Sequence, residues 1–260
     1  MSDTVRVGIA GLGTVGAGTL ALLSDNAQLV RDRCGRWVSV VAVSARDRTK
    51  DRGFDLGGFK WHDDPCAMVQ DDQVDVVVEL MGGDSGPALD LVSTALEAGK
   101  PVVTANKALI ALHGVTLAGL AERGDVPLAF EAAVGGGIPI IKSLREGLAA
   151  NYISRVYGIL NGTCNYILTT MEATGREFED VLAEAQSLGY AEADPTYDID
   201  GTDAAHKLVI LASIAFGIPL NIDAPVKHGI QEVTPADLEY AGELGYRVKH
   251  LGIARQKDAG

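Results

Sequence analysis

The stretch Val5–Gly16, VRVGIAGLGTVG, decides the fold. Val5–Ala10 is a short apolar run of the kind that forms a parallel strand buried on both faces. Gly11-Leu12-Gly13-Thr14-Val15-Gly16 follows at once, and a helical pattern runs from Ala17 to about Leu23. A bare GxGxxG is weak evidence, because a structural glycine turn reads the same way. Placed after a strand and opening a helix, it predicts a dinucleotide-binding turn. Gly11 would allow the tight turn, Gly13 the approach of a pyrophosphate, and Gly16 close packing of helix on strand. The helix N-terminus supplies N–H donors for phosphate oxygens.

The next strand is expected at Trp37–Val43. At its end an acidic residue commonly receives a free ribose 2′-hydroxyl. Here Ser44 stands there, followed by Ala45-Arg46-Asp47-Arg48. A small hydroxyl and a nearby guanidinium suit a 2′-phosphate, so NADP is expected ahead of NAD as cofactor. The competing reading makes Arg46 and Arg48 surface charges paired with Asp47 and Asp51. The segment Asp25–Arg36 lengthens this first crossover beyond the usual unit.

Strand and helix alternate up to about residue 135. Strands are expected at Val74–Leu80, Pro101–Thr104 and Val126–Ala132, with helices at Pro87–Ala98 and Lys107–Arg123. Gly11, Gly82 and Lys107 all fall at strand ends, where ligands bind in such sheets. After the glycine-rich break at 134–139 the pattern changes. Ile153–Leu160 reads as a strand, and Gly162–Met171 and Phe178–Leu188 as helices. The fold class is therefore α/β: a Rossmann-type doubly wound domain over 1–135, then a mixed α/β substrate domain over 136–260.

Composition narrows the function. The 260 residues carry a formal net charge of −13, which argues against nucleic-acid and anionic-membrane partners. No run of 18 apolar residues occurs and the first strand begins early, so neither a signal peptide nor a membrane span is expected. Cys34, Cys66 and Cys164 are odd in number and widely spaced, which suggests no disulfide framework and a reducing, cytoplasmic setting.

The most chemically loaded segment is 185–207, AQSLGYAEADPTYDIDGTDAAHK. Glu192, Asp194, Asp198, Asp200 and Asp203 crowd together, and Lys207 follows on a helix begun near Thr202 and Asp203. Asp203 and Lys207 stand four apart on one helix face. An acidic loop beside an ammonium suits a cationic, oxygen-bearing substrate such as an amino acid. A calcium loop centred on Gly201 fails, because Thr196 and Lys207 would occupy positions that need carboxylates. A solvated acidic loop with a routine ion pair remains the plain alternative.

These segments together resemble the homoserine dehydrogenase family. The matching stretches are GLGTVG at 11–16, TANKALIA at 104–111, FEAAVGGGIPII at 130–141, GILNGTCNYIL at 158–168 and the acidic segment itself. The resemblance implies interconversion of L-homoserine and L-aspartate 4-semialdehyde with NAD(P)(H), in threonine and methionine synthesis. It implies that Lys207 transfers the proton and that Lys107 stands beside nicotinamide and substrate oxygen. Glu192, Asp198 and Asp203 match the substrate-side acids, and Gly162, Thr163 and Tyr190 other substrate contacts. Gly82, Thr104 and Lys107 fall at the cofactor. Backbone carbonyls of Glu131, Val134, Gly136 and Ile138 match a monovalent-cation site, for Na or K. The family works as a homodimer through its substrate domain.

The chemistry is coherent on the residues alone. Hydride leaves the alcohol carbon only as its hydroxyl loses a proton. One lysine can move that proton while another stabilises the alkoxide. The acids around Lys207 favour it for proton transfer. His206 adjoins Lys207 but projects about 100° away on a helix, which suggests a structural role. Cys164 needs no nucleophilic role in hydride transfer. Two other readings remain: a Rossmann dehydrogenase for another small amino or hydroxy acid, and a cofactor-binding fragment with a regulatory role. The chain stops at Gly260, after an expected strand at Val248–Ala254 and without a regulatory domain. Family members usually continue, so the sequence predicts further strands beyond Gly260 or from a partner, and an exposed edge prone to association.

Overall fold

The computed structural model describes residues 3–257, so Gly260 lies outside the described residues. The chain forms two compact units, the first running to Ile140 and the second starting at Ile141.

The first unit is a six-stranded parallel sheet. In chain order it contains β1 (Thr4–Ala10), α1 (Thr14–Asp25), α2 (Ala27–Cys34), β2 (Trp37–Ser44), β3 (Lys60–Trp61), β4 (Val76–Glu79), α3 (Pro87–Glu97), β5 (Val102–Thr104), α4 (Lys107–Gly124) and β6 (Leu128–Ala129). The spatial order is β3-β2-β1-β4-β5-β6. This is the doubly wound dinucleotide-binding topology, and the strand order reverses between β1 and β4. Ile9, Val43 and Val77 are fully buried, as strands covered on both faces require. One core lies between the sheet and α3 and α4, with Leu91, Leu96, Leu109 and Leu117 at its centre. Another gathers Val7, Ile9, Leu12, Leu20 and Val43. Each such side chain, removed from water, contributes about 1.5–3 kcal/mol.

Two expected strands are shorter than the sequence suggests. The Val74 N–H closes a turn on the Asp71 carbonyl at 3.0 Å, so β4 starts later. After Ala129 the chain turns off at Phe130 (φ −143°, ψ 35°) into a 3-10 turn at Glu131–Ala133. The inserted Asp25–Arg36 segment folds as α2, stopped by left-handed Gly35 at φ 72°.

The second unit contains a short helix α5 (Ile140–Lys142), which begins at the last residue of the first unit and runs into a wide π turn at Ser143–Gly147. Then come β7 (Arg155–Gly158), α6 (Gly162–Thr174), α7 (Phe178–Ser187), α8 (Thr196–Ile199), α9 (Thr202–Phe216), α10 (Pro235–Glu243) and β8 (Gly252–Arg255). β7 and β8 pair antiparallel, Tyr157 opposite Ile253. Its core joins α6 and α7 through Ile167, Leu168, Met171 and Val181. The strand expected at Val248–Ala254 starts only at Gly252. The reason is Asn165: its amide receives the His250 N–H at 3.0 Å and donates to the His250 carbonyl at 2.9 Å. A helix side chain thus takes the backbone groups that a strand partner would need.

Candidate active site

In the first unit the glycine loop leaves β1 and enters α1. Gly11 has φ +99°, and a Cβ there would lie 2.4 Å from the Leu80 carbonyl. A Cβ on Gly16 would lie 1.9 Å from the Gly11 oxygen, whereas one on Gly13 would meet nothing within 4 Å. Two glycines therefore serve the protein's own packing, and the third keeps a surface open. The α1 N-terminus has no side-chain cap, so its amides face outward from Gly13, Thr14 and Val15, all exposed. The Leu12 side chain belongs to the core, and only its backbone is in the loop.

A cavity of about 770 Å³ opens here, between the ends of β1, β2 and β4. Gly11, Gly13, Arg46, Lys50, Arg52 and Gly82 are among its lining residues. Arg46 is exposed and faces the cavity. The nearby acids Asp47 and Asp51 accept from groups of their own turns. Asp47 Oδ1 accepts from Thr49 N–H (2.8 Å) and Oγ1 (2.7 Å), which holds its carboxyl below the usual range. Asp51 Oδ1 accepts from Gly53 N–H at 2.9 Å. Arg48 instead lies over the Trp61 ring, 5.7 Å from its centre. Arg52, which sequence reasoning missed, donates to the carbonyls of Leu12 (3.2 Å), Asp47 (2.6 Å) and Lys50 (2.8 Å). It ties the segment after β2 to the glycine loop.

Glu79 was also missed. Its side chain is fully buried at the end of β4. Oε1 accepts from Met81 N–H (2.7 Å) and Gly82 N–H (3.1 Å), and Oε2 from Thr104 Oγ1 (2.6 Å). A charge inside the apolar run VDVVVEL was the available signal, since a buried carboxylate must have donors. Thr104 is 1% exposed, and its hydroxyl donates to Glu79 and accepts from Asn106 N–H at 3.0 Å. Asn106 caps α4 through Leu109 N–H (3.1 Å) and donates to the Gly83 carbonyl (2.5 Å). The half-buried Lys107 is the first residue of that helix. A cation there opposes the helix dipole, a local cost that commonly marks function.

The turn that carries Glu131, Val134, Gly136 and Ile138 is tight. The Glu131 carbonyl accepts from Val134 (3.3 Å) and Gly135 (3.4 Å), and the Ile138 carbonyl from Ile140 (2.8 Å). A carbonyl has two lone pairs, so Ile138 keeps capacity for a hard cation, and Glu131 less. Among the described residues no cluster of His, Cys, Asp and Glu could hold a metal ion.

In the second unit the five acids divide by task. Asp194 accepts from Thr196 N–H and Oγ1, at 3.2 and 2.6 Å, and shapes the loop. Asp200 accepts from Thr202 N–H and Oγ1, at 2.8 and 2.9 Å, just ahead of α9, whose N-cap is Gly201 and whose first residue is Thr202, as expected. The turn needs Gly201 at φ +85°, where a Cβ would also press on the His228 carbonyl at 3.2 Å. Asp203, 4% exposed, holds Lys207 Nζ at 2.8 Å, and Nζ also donates to the Leu160 carbonyl at 2.8 Å. Asp203 is buried while the Lys207 side chain is 20% exposed, so the pair is part-buried and differs from a routine solvated ion pair. Asp198 is joined to Asp203 through Asn161, whose amide donates to both, at 2.8 and 3.0 Å. Glu192 is exposed, and its backbone carbonyl accepts from Gln186. Gly162 opens α6 on open space, and the Thr163 hydroxyl donates to the Tyr190 carbonyl at 2.8 Å. The Tyr190 ring packs edge-on against Tyr166, centres 4.9 Å apart.

Cys164 is fully buried, and its thiol donates to the Asp198 carbonyl at 3.1 Å. Burial first, then Asp198, Asp203 and Asp200, push it up to about 12, so it stays a thiol. His206 is buried on α9.

Residues 11–131 match the homoserine dehydrogenase NAD-binding domain model, and residues 139–259 the homoserine dehydrogenase domain model. A homoserine dehydrogenase of Pseudomonas aeruginosa is 54% identical over 98% of this chain, which spans 58% of that protein. The crystal structure of one from Thiobacillus denitrificans superposes with TM-score 0.94 at 51% identity, covering 99% of this chain and 59% of that one. A putative homoserine dehydrogenase from Archaeoglobus fulgidus gives TM-score 0.86 at 34% identity, over 97% of this chain and 81% of that chain. The chain thus spans somewhat more than half the length of its bacterial relatives. Cofactor-type sheet, acid–lysine cluster and these matches together place the chain in the homoserine dehydrogenase family.

Proposed function

We propose that the protein interconverts L-homoserine and L-aspartate 4-semialdehyde by hydride transfer with NADP(H), NAD(H) being the poorer cofactor. The carrying observation is the part-buried Lys207–Asp203 pair, which fixes the lysine beside Asp203 and, through Asn161, Asp198. A bound nicotinamide supplies or accepts the hydride. The glycine residues fit such a group: Gly11 and Gly16 have no room for a side chain, and Gly13 lies open. Backbone amides from Gly11 to Gly16 hold the pyrophosphate, and Arg46 meets the 2′-phosphate. Lys207, once deprotonated to the amine, takes the hydroxyl proton in oxidation and, as the ammonium, returns it in reduction, with Asp203 holding its place. Lys107 stabilises the developing alkoxide. Glu192, Asp198 and Asp203 receive the substrate ammonium, and Gly162, Thr163 and Tyr190 border it. A monovalent cation held by carbonyls of Glu131, Val134, Gly136 and Ile138 would brace the 131–138 turn.

The same reading places the protein in threonine and methionine synthesis, in the cytoplasm, as a homodimer. No helix among the described residues is long and apolar enough to cross a membrane. The test is absorbance at the reduced-nicotinamide band. NADP+ reduction is expected with L-homoserine and not with other small hydroxy acids. No homoserine-dependent signal, or an equal signal with lactate or serine, would overturn the reading.

A further inference from the structure

We propose that Asn161 is a positioning residue for the reaction, holding Asp198 and Asp203 as one aligned acid pair and, through Asp203, setting the place of Lys207 Nζ. The proposal rests on the homoserine dehydrogenase reading above and adds a residue to it.

Asn161 is 3% exposed, and its amide accepts one bond and donates two. Oδ1 accepts from Cys164 N–H at 2.7 Å, which caps α6. That bond fixes the orientation of the amide, because a flipped group would set its oxygen against two carboxylates and its NH2 against an N–H. Nδ2 therefore points at the acids, donating to Asp198 Oδ1 at 2.8 Å and Asp203 Oδ2 at 3.0 Å. Two carboxylates sharing a site normally oppose each other's ionisation. Here one neutral donor serves both, and Lys207 Nζ sits on the same Asp203 oxygen. Asp203 Oδ2 receives Lys207 Nζ and Asn161 Nδ2 on the same oxygen. Moving the amide therefore moves the oxygen that anchors the lysine.

The base of the arrangement is rigid. The Asn161 carbonyl accepts from Asn165 Nδ2 at 2.9 Å, and the preceding carbonyl, Leu160, accepts from Lys207 at 2.8 Å. Residues 160 and 161 thus hold lysine and acids from one stretch of backbone. The other titratable or charged groups nearby are the Cys164 thiol on the Asp198 carbonyl, Asp200 on Thr202, Lys227 on Thr202 Oγ1, buried His206 on α9, and His250 beside Gly201.

The test separates the cap from the donors. Serine and aspartate both cap helices, so Asn161→Ser and Asn161→Asp retain the α6 start. Neither can donate to both acids. With Asn161→Ser, homoserine turnover per KM should fall roughly 10–100-fold, the range for hydrogen bonds to charged groups. NADPH affinity, read by fluorescence titration, should stay near the parent value, and Tm should fall only modestly, since each acid loses one donor. With Asn161→Asp the fall should be larger, and the acid limb of the pH profile should move up, because added negative charge favours the ammonium. An activity-independent arm follows the pH dependence of Lys207 acylation by peptide mass spectrometry. Its curve should move to higher pH in Asn161→Asp. Asn161→Ser with turnover within two-fold of the parent overturns the proposal, as does an unchanged Lys207 curve in Asn161→Asp. Loss of activity matched by loss of Tm in both variants also overturns it, since the residue is then only a cap. A parent protein without homoserine-dependent turnover would instead sink the functional reading, and the acylation arm alone would then decide the positioning.

Discussion

The cofactor loop and the acid–lysine cluster are built on opposite principles. The loop works by what is missing: Gly11 and Gly16 have no space for a Cβ, and Gly13 has nothing around it. The cluster works by what is shared: Asn161 serves two acids, and Asp203 serves an amide and an ammonium. A site made of absences is robust to the identity of its neighbours. A site made of shared partners is not, because removing one member leaves another buried and unsatisfied.

The largest effect should come from breaking the cluster at Lys207. Lys207→Ala should lower homoserine turnover by roughly 100-fold or more, the usual scale for lost general acid–base help. NADPH affinity should be nearly unchanged, because the residues proposed to hold the cofactor belong to the other unit. Steady-state rates and a fluorescence titration check both halves. Near-normal turnover would remove Lys207 from the chemistry.

The glycine loop offers a sharper contrast within itself. Gly16→Ala puts a Cβ 1.9 Å from the Gly11 oxygen, so α1 must shift. A loss of about 1–3 kcal/mol in urea unfolding is expected, the usual scale for overpacking. Gly13→Ala meets nothing within 4 Å and should leave stability almost alone while weakening cofactor binding. If the two variants behave alike, the division of labour between the glycines is wrong.

That contrast explains what the sequence made legible. Gly11, Gly13 and Gly16 could be read from spacing because steric exclusion is local: a strand, a turn and a helix within twelve residues. The α9 helix was legible too, since Thr202–Phe216 is long, largely apolar and free of Gly and Pro. The division among the five acids was not. That Asp198 and Asp203 face a shared partner depends on Asn161, some forty residues away. Arg52 was hidden because it reaches the distant Leu12 carbonyl, and Glu79 because one of its donors is the Thr104 hydroxyl on another strand. The strand at 248–254 was overread because a side-chain amide, invisible to periodicity, takes the His250 backbone.

Arg46 tests the cofactor preference. The arginine faces the cavity while the neighbouring carboxylates are held in their own turns. Arg46→Ala should weaken NADPH binding by roughly 1–3 kcal/mol and leave NADH nearly untouched. Equal weakening of both cofactors, or of neither, would make Arg46 an ordinary surface charge.

Asp71 provides the smallest effect and a reference acid with no proposed chemistry. Its side chain is 6% exposed and accepts from Lys60 Nζ at 2.8 Å, with His62 Nε2 at 3.2 Å. Gln73 N–H donates at 2.9 Å. Lys60 first, then the Gln73 amide, lower its carboxyl from 3.8 to about 2. A depressed carboxylate stabilises the fold only while ionised. Its contribution is therefore fully present above the unfolded value near 3.8 and is lost as pH falls through about 2. With Lys60 largely exposed and screened, the contribution is roughly 1–2 kcal/mol. Asp71→Asn should be less stable than the parent by that amount at pH 5, and the gap should shrink towards pH 2. Urea titrations of both proteins across this range measure it. A gap as wide at pH 2 as at pH 5 would mean that shape and hydrogen bonding, rather than charge, hold the Asp71 turn. The charge-based account of the second unit's acids would then need the same revision.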